Sequence, residues 1–177
     1  SLRTDAGREF LGLGFYRLAT DAWGYAHAPE RDVEGFLLAR DGRTTLTVEN
    51  RDGAHVLRAF DLERGEPLPD PEIPFGVVEH AALHPSERRA LLTLATPAHT
   101  ENLFELELGA SRLEPREQSM LGGLDPSRMP TPEPVRVTGG EVEIPAWLYR
   151  PEGEGPFPVL LSIHGGPETQ EQPRYMY

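Results

Sequence analysis

The chain contains no cysteine and no lysine, no methionine before Met120, and no long apolar run. Without cysteine there can be no disulfide and no thiolate-bound metal. All 17 basic residues are arginine, which carries no functional message. Acidic residues outnumber them, 29 to 17, and the net charge of −12 argues against a nucleic-acid partner or an anionic membrane surface. No apolar stretch approaches the roughly 20 residues of a membrane-spanning helix. No signal-peptide pattern opens the sequence, so a cytoplasmic location is expected. The late first methionine makes an internal piece of a longer protein the expectation. The pattern Gly-x-Ser-x-Gly is also missing, and none of Ser1, Ser86, Ser111, Ser119, Ser127 and Ser162 sits on a nucleophile elbow.

What is present is a succession of short strands. Between residues 34 and 117, apolar or alternating runs are separated by Asp-Gly, Pro-Ser and Gly signals. The expected strands are Gly35–Arg40, Thr44–Glu49, His55–Leu62, Val77–Leu83, Ala90–Ala95 and Asn102–Leu108. Arg40-Asp41-Gly42-Arg43 reads as a tight hairpin turn. Thr44–Val48 alternates, placing Leu46 and Val48 on one face. Glu87–Thr93 could form one turn of helix, but Thr93, Thr96 and Pro97 oppose its extension. Upstream, Phe15–Leu18 is a candidate strand and Asp21–Tyr25 a loop carrying two aromatics.

A shift of about 46 positions, in the range of propeller blades, superposes part of this region on itself. Arg43, Leu46, Thr47, Leu57 and Leu62 then fall on Arg89, Leu92, Thr93, Leu103 and Leu108. Such a unit cannot bury both faces alone and must stack on neighbours.

The texture changes at Leu121–Pro134, where Gly122-Gly123 is followed by Pro126, Pro130, Pro132 and Pro134. Proline fixes φ and cannot donate to a ladder, so this is read as an extended linker and a domain boundary. Three further strands are expected after it: Pro134–Thr138, Glu141–Arg150 and Pro158–His164. Gly139-Gly140 would turn between the first two, and Pro145 marks the second as an edge or bulged strand. The third is continuously apolar, as in an interior strand of an α/β sheet. It runs into His164-Gly165-Gly166-Pro167, a tight loop or an ordinary Gly-Gly-Pro turn.

The blade-like repeat, the linker, the segment EVEIPAWLYRP and the run PVLLSIHGGP together resemble the prolyl oligopeptidase family of serine peptidases, most closely its acylaminoacyl-peptidase branch. The resemblance implies a mostly β chain: the last blades of a β-propeller followed by the first strands of an α/β-hydrolase domain, truncated. Residues 1–120 would be the blades, 121–134 the linker and 135–177 the start of the hydrolase domain. It also implies that His164-Gly165-Gly166-Pro167 is the oxyanion loop. The Gly166 backbone N–H would be one donor, with Gly165 and His164 shaping the loop. Other branches place a tyrosine where His164 stands and use its hydroxyl, so here the glycine backbone does that work. The triad follows this loop in α/β-hydrolases, and would lie beyond Tyr177. The substrate implied is a short peptide, the main partner the remainder of the same polypeptide, and no cofactor is implied.

Other readings stay open. The fragment could be a non-catalytic propeller-type binding module, or part of an esterase with the same loop. His80 and His84 have the i, i+4 spacing of a helical metal site, but Val77–Leu83 is an expected strand with Pro85 after it, and no third ligand is obvious. Glu168, Gln170 and Glu171 could meet a charged substrate terminus, although a solvated surface is the default. Asp70/Glu72 and Glu152/Glu154 read as solvated loops. Exposed strand edges would favour self-association in so short a piece.

Overall fold

The alternation in Thr44–Asn50 decides the centre of the fold, because this strand is buried on both sides. Leu46 and Val48 point to one face; Thr45, Thr47 and Glu49 point to the other, and all five are buried. In the computed structural model, which describes residues 1–40, 42–84, 89–110 and 112–175, this strand lies in the middle of three successive sheets. Asp41 of the expected turn, Ser86, Ser111, Glu87 and Arg88, and Tyr177 lie outside the described residues.

The first sheet has three antiparallel strands, β1 (Leu2–Thr4), β2 (Gly12–Arg17) and β3 (Ala22–His27). The second has four: β4 (Val33–Leu38), β5 (Thr44–Arg51), β6 (Ala54–Asp61) and β7 (Glu66–Pro67). The third repeats that order with β8 (Val77–Leu83), β9 (Arg89–Thr96), β10 (His99–Glu107) and β11 (Arg112–Glu117). All six strands expected between residues 34 and 117 are present, with ends displaced by up to three residues. The 46-residue shift carries β5 onto β9 and β6 onto β10, the inner strands of two blade-like units.

Those inner strands build the core. Leu46, Val48, Leu57 and Ala59 pack against Ala90, Leu92, Leu94, Phe104 and Leu106, with Leu37, Leu68, Ile73 and Leu113 around them. The other face of β5 meets the first sheet through polar groups. His27 Nε2 lies 2.6 Å from Glu49 Oε1, Arg31 and Arg58 each lie 3.7 Å from the same carboxylate, and the His27 and Phe60 rings are 4.5 Å apart. Burial pushes the Glu49 carboxyl up. The hydrogen bond from His27, and the charges of His27, Arg58 and Arg31, outweigh it and hold the group below the usual glutamate value.

Several expectations need correction. Asp21–Tyr25 is not a loop: Ala22–His27 is a strand, and Trp23 pairs across it with Tyr16, ring centroids 5.0 Å apart. Cross-strand aromatic pairing holds a strand here that lacks an apolar alternation. The short polar edge strands β1, β7 and β11 carry too little hydrophobic signal to be read from the sequence. The region 121–134 is not wholly extended: Pro126–Arg128 is a single 3₁₀ turn capped by Asp125, whose carboxylate accepts from the Ser127 N–H at 2.9 Å. Its last residues already belong to β12 (Glu133–Gly139), which pairs with β13 (Val142–Leu148) in a separate antiparallel ribbon. The turn is at Gly140-Glu141, since Gly139 pairs with Val142. Pro145 sits opposite Arg136 without a shift of register, so β13 is an edge strand and not a bulged one.

The largest departure is Pro158–His164. It forms no strand, and Val159, Leu160, Leu161 and Ile163 are 77–95% exposed. An interior strand needs a hydrogen-bonding neighbour and covered faces. Among the described residues no strand pairs with this segment. Nor is there an α-helix among them, so the regular structure is β apart from the 3₁₀ turn.

Two outcomes follow from the packing. Leu92→Ala, at a wholly buried site between two sheets, is expected to cost about 2–5 kcal/mol in urea unfolding; a loss below about 1 kcal/mol would mean that the two sheets do not share one core. A carboxyl held low in the fold adds stability above the unfolded value near 4.5 and loses it as pH falls through the depressed one. Glu49→Gln should therefore flatten the acid limb of a stability–pH series below about pH 5. An unchanged limb would show that the His27–Glu49 contact contributes nothing.

Candidate functional site

The glycine loop stands clear of the sheets. His164, Gly165 and Gly166 are exposed, and the loop's internal contacts are few. His164 Nδ1 donates to the Gly165 carbonyl at 2.9 Å, and the Thr169 amide donates to the Pro167 carbonyl at 3.0 Å. Gly166 has φ of +154°, and a methyl group there would lie 2.9 Å from the Glu168 nitrogen and 3.1 Å from Thr169 Cγ2. Glycine is therefore required on both conformational and steric grounds. The Gly166 amide makes no hydrogen bond among the described residues.

The ends of the loop meet. Ser162 Oγ donates to Glu171 Oε1 at 3.3 Å, closing residues 162–171 into a compact loop with a narrow neck. Ser162 is exposed rather than buried, and its partner is a carboxylate. From Gln170 onward the chain lies across one end of the second and third sheets. Gln170 Oε1 accepts from Asn50 Nδ2 at 2.9 Å, Pro173 is fully buried, Arg174 reaches Glu79 at 2.9 Å, and the Tyr175 amide donates to the Thr96 carbonyl at 2.7 Å. Trp147 of β13 donates its indole N–H to the Glu171 carbonyl at 3.3 Å and packs edge-on against Phe75, 5.4 Å between centroids. Arg136 of β12 pairs with Asp52 at 2.9 Å. Burial and then the Glu171 charge raise the Tyr149 phenol above its usual value.

The β5–β6 hairpin is shaped for this contact. Asp52 and Gly53 both have positive φ, 52° and 96°, as in the two-residue turns that suit a hairpin's twist. Asn50 Oδ1 accepts from the Gly53 amide at 2.8 Å, while Asn50 Nδ2 also donates to Glu34 Oε1 at 2.6 Å. Glu34 in turn lies 2.8 Å from His55 Nε2, whose Nδ1 accepts from the Val78 amide at 2.9 Å. Contact with His55 is the main cause that lowers the Glu34 carboxyl from its usual value, against a cost of burial, with Asn50 helping. A polar chain thus runs from the third sheet, through Asn50, to Gln170.

Of the residues singled out in the sequence, His164, Gly165 and Gly166 are contiguous and together. Glu168 is exposed, but Gln170 and Glu171 are engaged with the sheets and with Ser162, so these two are not simply solvated. Asp70 is likewise not free: it takes Arg58 in an ion pair. His80 lies in β8 and His84 follows it, opposite Arg89. Among the described residues no group of three or more histidines and carboxylates could hold a metal. Asn50, Gly53, Trp147 and Pro173 were not singled out; the only local signal was the Asp52-Gly53 turn dipeptide.

No family model matches the chain. A peptidase of Bacillus subtilis (strain 168), Uncharacterized peptidase YuxL, is 28% identical over 105 residues, which cover 54% of this chain and 15% of that protein. Among solved structures, puromycin hydrolase superposes with a TM-score of 0.65 at 23% identity, over 79% of this chain and 22% of its own. A prolyl endopeptidase matches with a TM-score of 0.62 at 12% identity, over 73% of this chain and 20% of its own. A puromycin-hydrolyzing peptidase of Mycobacterium tuberculosis gives 0.59 at 14%, over 73% and 21%. The chain thus spans about a seventh of the curated relative and about a fifth of the solved structures it matches. The structural likenesses speak to fold, and the sequence relative is a peptidase. Together they bear out the resemblance to the prolyl oligopeptidase family of peptidases.

Proposed function

We propose that this chain is the junction of a prolyl oligopeptidase-family serine peptidase, carrying its last propeller blades and the opening of its α/β-hydrolase domain. On this reading residues 1–120 are blades, 121–134 the linker and 135–177 the start of the catalytic domain. The β12–β13 ribbon is its first pair of strands and Pro158–His164 a strand that pairs with later chain. The longer polypeptide hydrolyses short peptides by acyl transfer, in the manner of the acylaminoacyl-peptidase branch, with the propeller limiting substrate size. This chain alone, lacking nucleophile, acid and base, is inactive.

The observation that carries the reading is the Gly166 amide, exposed, unbonded among the described residues and set in a backbone that only glycine tolerates. When a nucleophile adds to a peptide carbonyl, negative charge develops on the carbonyl oxygen. A donor fixed beforehand meets that charge without reorganising, and such a donor lowers the barrier more than it stabilises the substrate. His164 holds the Gly165 carbonyl through Nδ1, which keeps that carbonyl turned toward the ring.

The test has two arms. A serine-directed phosphonate should label the longer polypeptide and leave this chain unlabelled; labelling of this chain would end the claim of inactivity, and failure to label the longer one would end the serine-peptidase reading. Gly166→Ala in the longer polypeptide should cost about 10²–10³ in kcat, the usual loss for one oxyanion donor. Retained activity on peptides would remove Gly166 from the site. Activity on simple esters without activity on peptides would make the protein an esterase.

A further inference from the structure

The glycine loop has too few contacts of its own to hold an amide in place. An oxyanion donor must be kept within about 0.5 Å of its working position by surrounding structure. Here only two hydrogen bonds lie within residues 164–169, and both are local. What fixes the loop is its neck. Ser162 and Glu171 close it, and the Glu171 carbonyl is pressed against the β5–β6 hairpin tip. A methyl group at Gly53 would stand 2.5 Å from that carbonyl oxygen and 3.3 Å from the indole nitrogen of Trp147. No other residue type allows this approach, and the φ of +96° independently favours glycine. One residue before, Gln170 is held by Asn50; further on, Pro173 is buried and the Tyr175 amide is bonded to the third sheet.

We propose that the Asn50–Gly53 hairpin tip clamps the neck of the loop through Gln170 and Glu171, and that these four residues position the Gly166 amide. They are positioning residues: none is placed against the reacting carbonyl. The clamp itself stands on the geometry above, while its catalytic consequence rests on the peptidase reading. On this account the blades do more than limit access. The two sheets hold the C-terminal side of the loop at a set height, through contacts separated in the chain by about 120 residues.

Amide hydrogen exchange on this chain tests the clamp without any activity. Gln170→Ala and Gly53→Val should speed exchange at Tyr175 and across residues 168–175 by about two- to tenfold per hydrogen bond lost, leaving β9 and β10 protected. Kinetics of the longer polypeptide test the consequence. Glu171→Ala and Gln170→Ala should lower kcat about tenfold or more with KM nearly unchanged, since misplacement by about 1 Å can cost 10². Glu171→Gln keeps an acceptor for Ser162 and should restore kcat. Should Gly53→Val fail to fold, Gln170→Ala carries the same test from the other partner. Unchanged exchange would overturn the clamp, and full kcat in both Glu171→Ala and Gln170→Ala would overturn its positioning role. If the unsubstituted longer protein cleaves no peptide, the peptidase reading falls and the positioning role with it, while the exchange result still decides whether the clamp exists.

Discussion

Everything beyond the first sheet depends on the core that the second and third sheets share. Leu46 and Val48 of β5 and Leu92 and Leu94 of β9 belong to one buried cluster that no single four-stranded sheet could form. That shared core aligns the two sheets, and aligned sheets bring their hairpin ends side by side. The Asp52-Gly53 tip and the Thr96 carbonyl then lie within reach of one short segment, residues 170–175. The loop bearing Gly166 is set against this pair of ends. A shift of one sheet over the other would move this segment, a strap across the two sheet ends, before it moved anything in the loop itself.

The two faces of β5 use different physics for the same purpose. Toward the third sheet the contact is apolar and non-directional. Toward the first sheet it is a buried carboxylate, Glu49, shared among His27, Arg31 and Arg58. Taking that carboxylate out of water is costly, and its partners offset the cost only in one arrangement. The polar face therefore selects the seating of the first sheet more than it adds stability. Glu34, Asn50 and His55 repeat the theme at the end of the hairpin, where Glu34 lies beside both His55 and Asn50 and the last in the chain is Gln170. The contact between Asn50 and Gln170 is exposed, so a strap that left Asn50 would exchange that acceptor for water.

The blades were legible because their signal is local and repeated. Period-two alternation, turn dipeptides and a 46-residue offset all act within a few residues of one another, and β4–β6 and β8–β10 follow them closely. Two kinds of feature were not legible. Strand β3 owes its place to Tyr16 and Trp23 facing each other across a hairpin, and pairing of that sort leaves no trace in hydrophobic period. The strap owes its place to residues such as Gln170 and Asn50, polar on both sides and far apart in the chain, where composition suggests only solvent. Pro158–His164 shows the converse error. Its apolar run predicts burial, but hydrophobicity records what a segment needs, and whether neighbours supply it is a property of the rest of the fold.

These two halves of the loop are held by unlike constraints. On the C-terminal side the neck is fixed by hydrogen bonds, a buried proline and a close glycine approach, all made to the sheets. On the N-terminal side Val159, Leu160, Leu161 and Ile163 stand in water, at an expense of about 1.5–3 kcal/mol for each side chain left unburied. Such a segment is driven toward any strand that will pair with it, and pairing would fix the direction in which His164 leaves the sheet. The amide of Gly166 sits midway between the two anchors. On the proposed reading the first anchor holds only the C-terminal side of the amide, and pairing of the apolar segment would hold the other. A donor aimed at a developing charge needs both, because an amide N–H loses most of its hydrogen-bond strength once it points away from its acceptor.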